Sequence, residues 1–183
     1  MNSILFLLGS ARIAGNSELL AIEAAKSLSL NVNQHWIRLS DYPLGAFHDV
    51  RHKDERTYEM PKGNALTLLD ATLAADAILF ACPVYWYSLP APAKLYLDHW
   101  SHWMRIPKLN FRAKMKGKEM YLVAAMAGPD SSDSEPLIRS LQLTANYLDM
   151  EWGGVILAHA NAAGDVLSKP ETLIAAGKLF ESG

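Results

Sequence analysis

Five short apolar runs recur along the chain, and longer segments of helical spacing lie between and after them. The runs are residues 3–8, 35–39, 77–82, 120–125 and 154–159. The first, third and fourth are almost entirely apolar, which is typical of parallel strands covered on both faces. The alternation of strand and helix predicts an α/β fold, a doubly wound parallel sheet with helices on both faces.

Turn and capping residues mark where the helices are expected to begin. Asn16 or Ser17 is predicted to cap the first helix, and Ser134 precedes a helix with Pro136 in its first turn. Pro170 is predicted to open the last helix. No internal repeat, low-complexity tract or linker interrupts the pattern, so residues 1–183 are interpreted as a single domain.

Two polar stretches do not fit the alternating pattern. Residues 41–62 have no clear period, and a loop of this length is usually functional or part of an interface. Residues 105–118 carry six basic side chains and no acidic one. This second stretch is either a solvated loop or a site for an anionic ligand such as a nucleotide phosphate.

Charge and cysteine content narrow the function classes. The net charge of −2 argues against a nucleic-acid-binding protein with a broad basic face. Cys82 is the single cysteine, which excludes an internal disulfide and a CxxC site. The N-terminal apolar run is too short for a membrane span and lacks the basic start of a signal peptide, so a cytoplasmic protein is expected.

The loop after the first strand, GSARIAGNS at 9–17, is suited to holding an anion. In an open α/β sheet, ligands bind beyond the carboxyl ends of the strands. The loop offers glycines, hydroxyls, one guanidinium and the backbone N–H groups of a helix N-terminus. The candidate phosphate residues are Ser10, Arg12, Gly15, Asn16 and Ser17. The alternative is an ordinary strand-to-helix turn, and neither a Walker loop nor GxGxxG is present.

Two further loops follow strands at the same edge. Residues 82–94, CPVYWYSLPAPAK, place three aromatic residues between prolines, which suits stacking against a planar heterocycle or reading its edge. The alternative is packing in the core or at a subunit interface. Residues 125–136 begin with small side chains that allow close approach of a ligand, although a plain loop explains them equally. A phosphate loop beside an aromatic loop predicts flavin mononucleotide (FMN).

These loops resemble those of the flavodoxin-like NAD(P)H-dependent FMN reductases and NAD(P)H:quinone oxidoreductases. That family opens with G-S-x-R-x-x-G-N-[ST], which residues 9–17 match. Its second motif, P-x-Y-x-x-S-x-P-x-x-x-K-x-x-x-D, is matched by residues 83–98. The resemblance covers most of the chain and implies a flavodoxin-like fold with strand order 2-1-3-4-5.

The resemblance also implies a site and a reaction. FMN would be bound through the phosphate residues above and a set that lines the isoalloxazine ring: Pro83, Val84, Tyr85, Trp86, Tyr87, Ser88, Ala127 and Gly128. NAD(P)H would pass a hydride through the flavin to a quinone, flavin or similar acceptor in a ping-pong reaction. Tyr85 or Tyr87 could add a hydroxyl donor, and no dedicated acid–base residue is assigned. A homodimer or a dimer of dimers is expected.

Departures from the family and alternative readings remain. Ile13 stands where many relatives carry a second basic residue, which leaves Arg12 as the one charged side chain of the loop. The alternatives are a flavodoxin-type electron carrier and a flavin-free binding module on the same fold. No metal site is predicted, because His99 and His102 lack a set of carboxylate partners and His48 and His52 lie in a polar loop.

Overall fold

One parallel sheet forms the centre of the computed structural model, which describes residues 1–50 and 58–181. Within these ranges the sheet has five strands in the order β2-β1-β3-β4-β5. The strands are β1 (Ser3–Leu8), β2 (Asn33–Arg38), β3 (Ala77–Pro83), β4 (Glu119–Met126) and β5 (Glu151–His159). The predicted fold class and strand order are confirmed, and every predicted strand overlaps an observed one.

Helices cover both faces of the sheet, because successive side chains of a strand point to opposite sides. They are α1 (Asn16–Ala25), α2 (Asn64–Ala74), α3 (Ala91–Trp103), α4 (Phe111–Met115), α5 (Glu135–Tyr147) and α6 (Pro170–Ala176). Ile4 and Phe6 of β1 face the cluster formed with α1 and α6. Leu5 and Leu7 face the larger cluster formed with α2 to α5. No helix in the described ranges has the length and apolar content to cross a membrane.

The helix starts agree with the sequence except at α1. Gly15 is the N-cap of α1 and no side chain caps it, so the prediction that Asn16 or Ser17 does so is wrong. Both residues already lie in the first turn, and the Asn16 amide bonds to the segment after β5. Ser134 occupies the N-cap of α5 as predicted, but its hydroxyl donates to the Ser131 carbonyl oxygen.

The basic segment 105–118 lies at the edge of the sheet opposite to the carboxyl ends of the strands. It contains a short 3-10 helix at Pro107–Leu109 and α4, so it is partly helical rather than the solvated loop that was one of its two interpretations. The Lys118 ammonium donates to the carbonyls of Leu73 and Ala75 at the end of α2, and burial lowers its pKa. These partners and this position favour a structural role over a nucleotide-phosphate site.

The segment after β2 begins with a 3-10 helix at Leu39–Asp41 and then packs against α3. The Nε2 atom of His99 lies 3.0 Å from the Gly45 carbonyl oxygen, and that of His102 lies 2.9 Å from the Glu59 carbonyl oxygen. These two contacts attach both described ends of the predicted 41–62 loop to one helix. Residues 51–57 of that loop, with His52, lie outside the described residues.

Candidate functional site

The loops after β1, β3 and β4 meet around one cavity of about 170 Å³ at the carboxyl edge of the sheet. Nine of the predicted site residues line it: Ser10, Arg12, Gly15, Asn16, Ser17, Pro83, Val84, Tyr85 and Ala127. Ala125, Ala160 and Asn161 complete the lining. Trp86, Tyr87, Ser88 and Gly128 lie in the same loops but outside this lining. The predicted convergence of the three loops is therefore present.

The loop after β1 is a compact turn that presents the start of α1 to the cavity. The Ser10 hydroxyl oxygen accepts a hydrogen bond from the Arg12 N–H at 3.0 Å. A Cβ added at Gly15 would lie 3.1 Å from the Ser10 hydroxyl oxygen, so a side chain there would press on the turn. The first N–H groups of an α-helix have no partner within the helix. The N–H groups at the start of α1 therefore make that end of the cavity a site rich in hydrogen-bond donors for an anion.

An ion pair braces this loop from β2. The Arg38 guanidinium lies 2.7 Å from a Glu18 carboxylate oxygen, and both side chains are largely buried. The other Glu18 oxygen accepts the N–H of Ala14 at 2.8 Å, which holds Ala14 in a left-handed conformation with φ of 52°. Arg38 also donates to the Arg12 carbonyl oxygen at 3.4 Å. Arg12 is therefore accompanied by a second guanidinium that the sequence pattern does not reveal.

The segment after β5 is attached to the same loop by two predicted phosphate residues. Arg12 Nη1 donates to the Asn161 carbonyl oxygen at 3.0 Å. Asn16 Nδ2 donates to the Ala162 carbonyl oxygen at 2.8 Å, and Asn16 Oδ1 accepts the Val166 N–H at 3.2 Å. These bonds use the amide oxygen and one of the two Nδ2 hydrogens of Asn16. The second Nδ2 hydrogen and the backbone N–H at the helix start are the donors that Asn16 could offer to a phosphate.

The aromatic loop after β3 folds into a tight turn. Tyr85 and Ser88 exchange two backbone hydrogen bonds, of 3.1 Å and 3.0 Å. Trp86 and Tyr87 between them have φ of 49° and 63°, the left-handed pair that defines a type I′ turn. Aromatic residues rarely adopt this conformation, and strain of this kind is concentrated at functional sites. The Trp86 side chain is 92% exposed, so core packing does not explain it.

A match to a family model places this chain in a family. A family model described as a flavodoxin-like fold matches residues 2–177. The chain belongs to this flavodoxin-like family. The resemblance inferred from the two loop motifs is confirmed.

Individual proteins are similar to this chain over two thirds of its length or more. YwqN of Bacillus subtilis (strain 168), provisionally named an NAD(P)H-dependent FMN-containing oxidoreductase, is 27% identical over 174 residues, covering 94% of this chain and 93% of that protein. An FMN-dependent NADH:quinone oxidoreductase of Pseudomonas fluorescens (strain Pf0-1) is 24% identical over 67% of this chain and 59% of its own length. The solved structure of a Trp repressor binding protein from Bacillus subtilis superposes with a TM-score of 0.76 at 24% identity, covering 98% and 99% of the two chains.

Two site features of this flavodoxin-like chain were missed at the sequence level. Ala160 and Asn161 form a wall of the cavity, but no site residue was predicted in the segment after β5, although that segment resembles the corresponding one of the family. His159 at the end of β5 donates from Nδ1 to the Gly128 carbonyl oxygen at 2.7 Å, and its Nε2 lies 3.0 Å from the Ser131 hydroxyl. The sequence does not indicate these two contacts, because His159 is a lone histidine at the end of an apolar strand.

Neither a thiol nucleophile nor a metal cluster accompanies the cavity. Cys82 is fully buried below the loop after β1, and burial raises the pKa of its thiol to about 12. A protonated, enclosed thiol is not reactive. Across residues 1–50 and 58–181, no group of three or more His, Cys, Asp or Glu side chains is arranged to hold a metal ion.

Proposed function

We propose that this chain is an FMN-dependent NAD(P)H oxidoreductase that transfers a hydride to a quinone, flavin or similar acceptor. The observation that carries the proposal is the single cavity formed by the loops after β1, β3 and β4. Hydrogen-bond donors for an anion lie at one end of it, and the prolyl and aromatic residues of the β3 loop lie at the other. The names of the relatives in Bacillus subtilis and Pseudomonas fluorescens support the same cofactor and reaction.

The phosphate end fits a doubly charged phosphate. Ser10 and Ser17 are buried hydroxyl residues on the cavity wall, and the N–H groups of the first turn of α1 lie beside them. Arg12 is exposed, so its guanidinium could turn from the Asn161 carbonyl to a phosphate oxygen. The nearby carboxylate of Glu18 is neutralised by Arg38, which lowers the repulsion of an anion. Charge-assisted hydrogen bonds from these groups would anchor the cofactor.

The ring end fits a flat heterocycle. Pro83, Val84 and Tyr85 form one wall, and Ala127 lies on the other side with no bulky side chain. The Val84 N–H is used by the Ala125 carbonyl, and the N–H groups of Tyr85 and Ser88 close the turn. Among the described residues, the N–H groups of Trp86 and Tyr87 make no backbone hydrogen bond. They adjoin the lining residue Tyr85, and we propose them as donors to the edge of a bound ring.

The mechanism assigns binding and orientation to the protein. When bound, FMN accepts a hydride from NAD(P)H and returns it to an acceptor, which is chemistry that the cofactor supplies. The turn at 85–88 offers N–H dipoles where negative charge develops, as an oxyanion hole does. Within the described lining, Arg12 and Tyr85 carry the titratable side chains. Tyr85 or Tyr87 could donate a hydroxyl hydrogen bond, and no general base is assigned.

The ping-pong order and the assembly state belong to the same proposal. NAD(P)H and the acceptor would bind one after the other at the ring end of the cavity, beside the aromatic turn. The turn is unusually exposed, with Trp86 at 92% and Tyr87 at 54%, and a second copy of the chain could cover it. A homodimer or a dimer of dimers is therefore proposed, and light scattering of the purified protein measures it directly. A cytoplasmic location stays a prediction.

The deciding experiment combines a spectrum with steady-state kinetics. The purified protein is expected to take up FMN with an absorbance shift and to oxidise NADH or NADPH with quinone, FMN or azo acceptors. Parallel double-reciprocal lines would support the ping-pong order. A redox titration in which the cofactor takes up its electrons one at a time would favour the electron carrier instead. A protein that binds no flavin and turns over no donor–acceptor pair would refute the proposal and favour the flavin-free module.

A further inference from the structure

We propose that His159 is a positioning residue that sets the distance between the loop after β4 and the flavin ring. This inference rests on the proposed function, because it concerns the ring end of the same cavity. The loop runs from Ala127 to the 3-10 helix at Ser131–Ser134, and Ala127 is a cavity residue. Whatever fixes this loop fixes one wall of the ring site.

His159 joins the loop to the sheet at two points. It is paired with Met126 in the β4–β5 register, so it lies directly beside the end of β4. From there its Nδ1 reaches the Gly128 carbonyl oxygen at 2.7 Å and its Nε2 reaches the Ser131 hydroxyl at 3.0 Å. One rigid imidazole thus spans two residues of the loop, three positions apart.

The hydrogen-bond partners of the His159 imidazole determine which of its nitrogens carries the proton. A carbonyl oxygen accepts but does not donate, so Nδ1 carries the proton. In the neutral ring Nε2 then accepts from the Ser131 hydroxyl, and both nitrogens are satisfied. His159 is half-buried and is not part of the cavity lining. Its effect on a bound ring would therefore pass through the loop rather than through contact.

The other hydrogen bonds of the loop are internal to it. The Asp130 carboxylate accepts the Ser132 N–H at 2.9 Å, and the Ser134 hydroxyl donates to the Ser131 carbonyl oxygen at 2.7 Å. Such bonds give the loop its shape but do not hold residues 128–131 against β5. The start of the loop is held separately, because the Met126 carbonyl oxygen accepts the Ala160 N–H at 2.8 Å and the Ala125 carbonyl oxygen accepts the Val84 N–H at 2.8 Å. Loss of the imidazole would leave the shape and release the position of the loop beyond Ala127, so that Gly128 no longer stays at a fixed distance from the β3 loop.

The test compares FMN with riboflavin, which has the same ring and no phosphate. His159→Ala is expected to weaken the binding of both ligands by the same factor, roughly tenfold for two lost hydrogen bonds. Arg12→Ala, by contrast, should weaken the binding of FMN and leave the binding of riboflavin unchanged. His159→Asn retains a donor near the position of Nδ1 and should recover most of the affinity. His35→Ala, which removes an exposed histidine of β2, is the matched control.

The possible outcomes separate the inference from the function on which it rests. If the unaltered protein binds neither ligand, the proposed function itself fails. If it binds both and His159→Ala leaves both affinities unchanged, or weakens FMN alone, the positioning role is refuted. If His159→Ala does not fold, Ser131→Ala removes the second hydrogen bond from the exposed end, and it should weaken both ligands by roughly threefold. No loss with that variant also overturns the inference.

Discussion

Arg12 Nη1 lies 3.0 Å from the carbonyl oxygen of Asn161, which ties the loop after β1 to the segment after β5. The guanidinium that sequence reasoning assigned to a phosphate is therefore held by the protein at the rim of the cavity. Because the side chain is exposed and the carbonyl acceptor is uncharged, this bond is weaker than one to a charged phosphate and would yield to it. Binding of FMN would then exchange one partner of Arg12 for another.

Replacement of Arg12 by alanine is expected to weaken FMN binding roughly tenfold to a hundredfold, the usual cost of losing a hydrogen bond to a charged group. Riboflavin binding should not change, because it lacks the phosphate. Fluorescence titration of both ligands measures the difference. Arg112→Ala, at the far edge of the sheet, is the control. Equal affinity of the Arg12→Ala variant for FMN would show that the hydroxyls and the helix start are sufficient.

The pair formed by Arg38 and Glu18 should control the charge felt by the phosphate. Arg38→Ala leaves the Glu18 carboxylate uncompensated near the start of α1 and should weaken FMN binding several-fold through repulsion. Glu18→Gln removes that negative charge while keeping an acceptor for the Ala14 N–H, so FMN should bind at least as tightly as before. Titrations at two salt concentrations measure both effects.

The double variant Arg38→Ala with Glu18→Gln provides the control for this charge argument. With neither charge present, its affinity for FMN should lie between those of the two single variants. High salt should bring all of them closer together, because it screens partly exposed charges. If Glu18→Gln binds FMN as weakly as Arg38→Ala does, the pair acts on the shape of the loop and the electrostatic account is wrong.

The fold was predictable because it depends on patterns that are local in sequence. Nearly continuous apolar runs such as 77–82 identify buried parallel strands, and the loops at their ends then share one edge. Side-chain connections between distant segments were not predictable. Asn16 looks like a cap or a phosphate donor in GSARIAGNS, yet its amide binds residues 162 and 166, about 150 positions away. The Arg38–Glu18 pair and His159 are likewise products of the tertiary fold.

The turn at 85–88 is expected to lower the stability of the free protein while its aromatic side chains support NAD(P)H oxidation. Placing Trp86 and Tyr87 in the left-handed region costs roughly 1–2 kcal/mol per residue. The double variant Trp86→Asn with Tyr87→Gly has the residue types that a type I′ turn favours. It should raise the free energy of unfolding of the free protein, since the Trp86 side chain is exposed and little packing is lost. NAD(P)H oxidation should fall at the same time, because the aromatic surface beside the ring site is removed.

Urea unfolding and steady-state kinetics on the same preparation test both expectations. Leu143→Asn, on the exposed surface of α5, is the control for a large apolar side chain removed away from the site. A double variant that is less stable than the original protein would mean that the turn is not strained in the free state. Full activity in a more stable variant would mean that the aromatic side chains have no part in the reaction.

Gly9 and Cys82 should be coupled through their contact beneath the loop after β1. A Cβ added at Gly9 would lie 2.7 Å from the Cys82 Sγ and 3.4 Å from the Ala93 Cβ, so the sulfur is the atom that forbids a side chain. Gly9→Ala is expected to lower the free energy of unfolding by about 1–3 kcal/mol through overpacking.

Cys82→Ala removes the sulfur and leaves a small void, which lowers the free energy of unfolding for a separate reason. In the double variant the new methyl group occupies part of that void, so its destabilisation should be smaller than the sum of the two single effects. Denaturant unfolding of the four proteins gives the coupling energy. Strictly additive effects would show that the strain in Gly9→Ala comes from the Ala93 side or from the backbone, and that the thiol does not determine the need for glycine at this position.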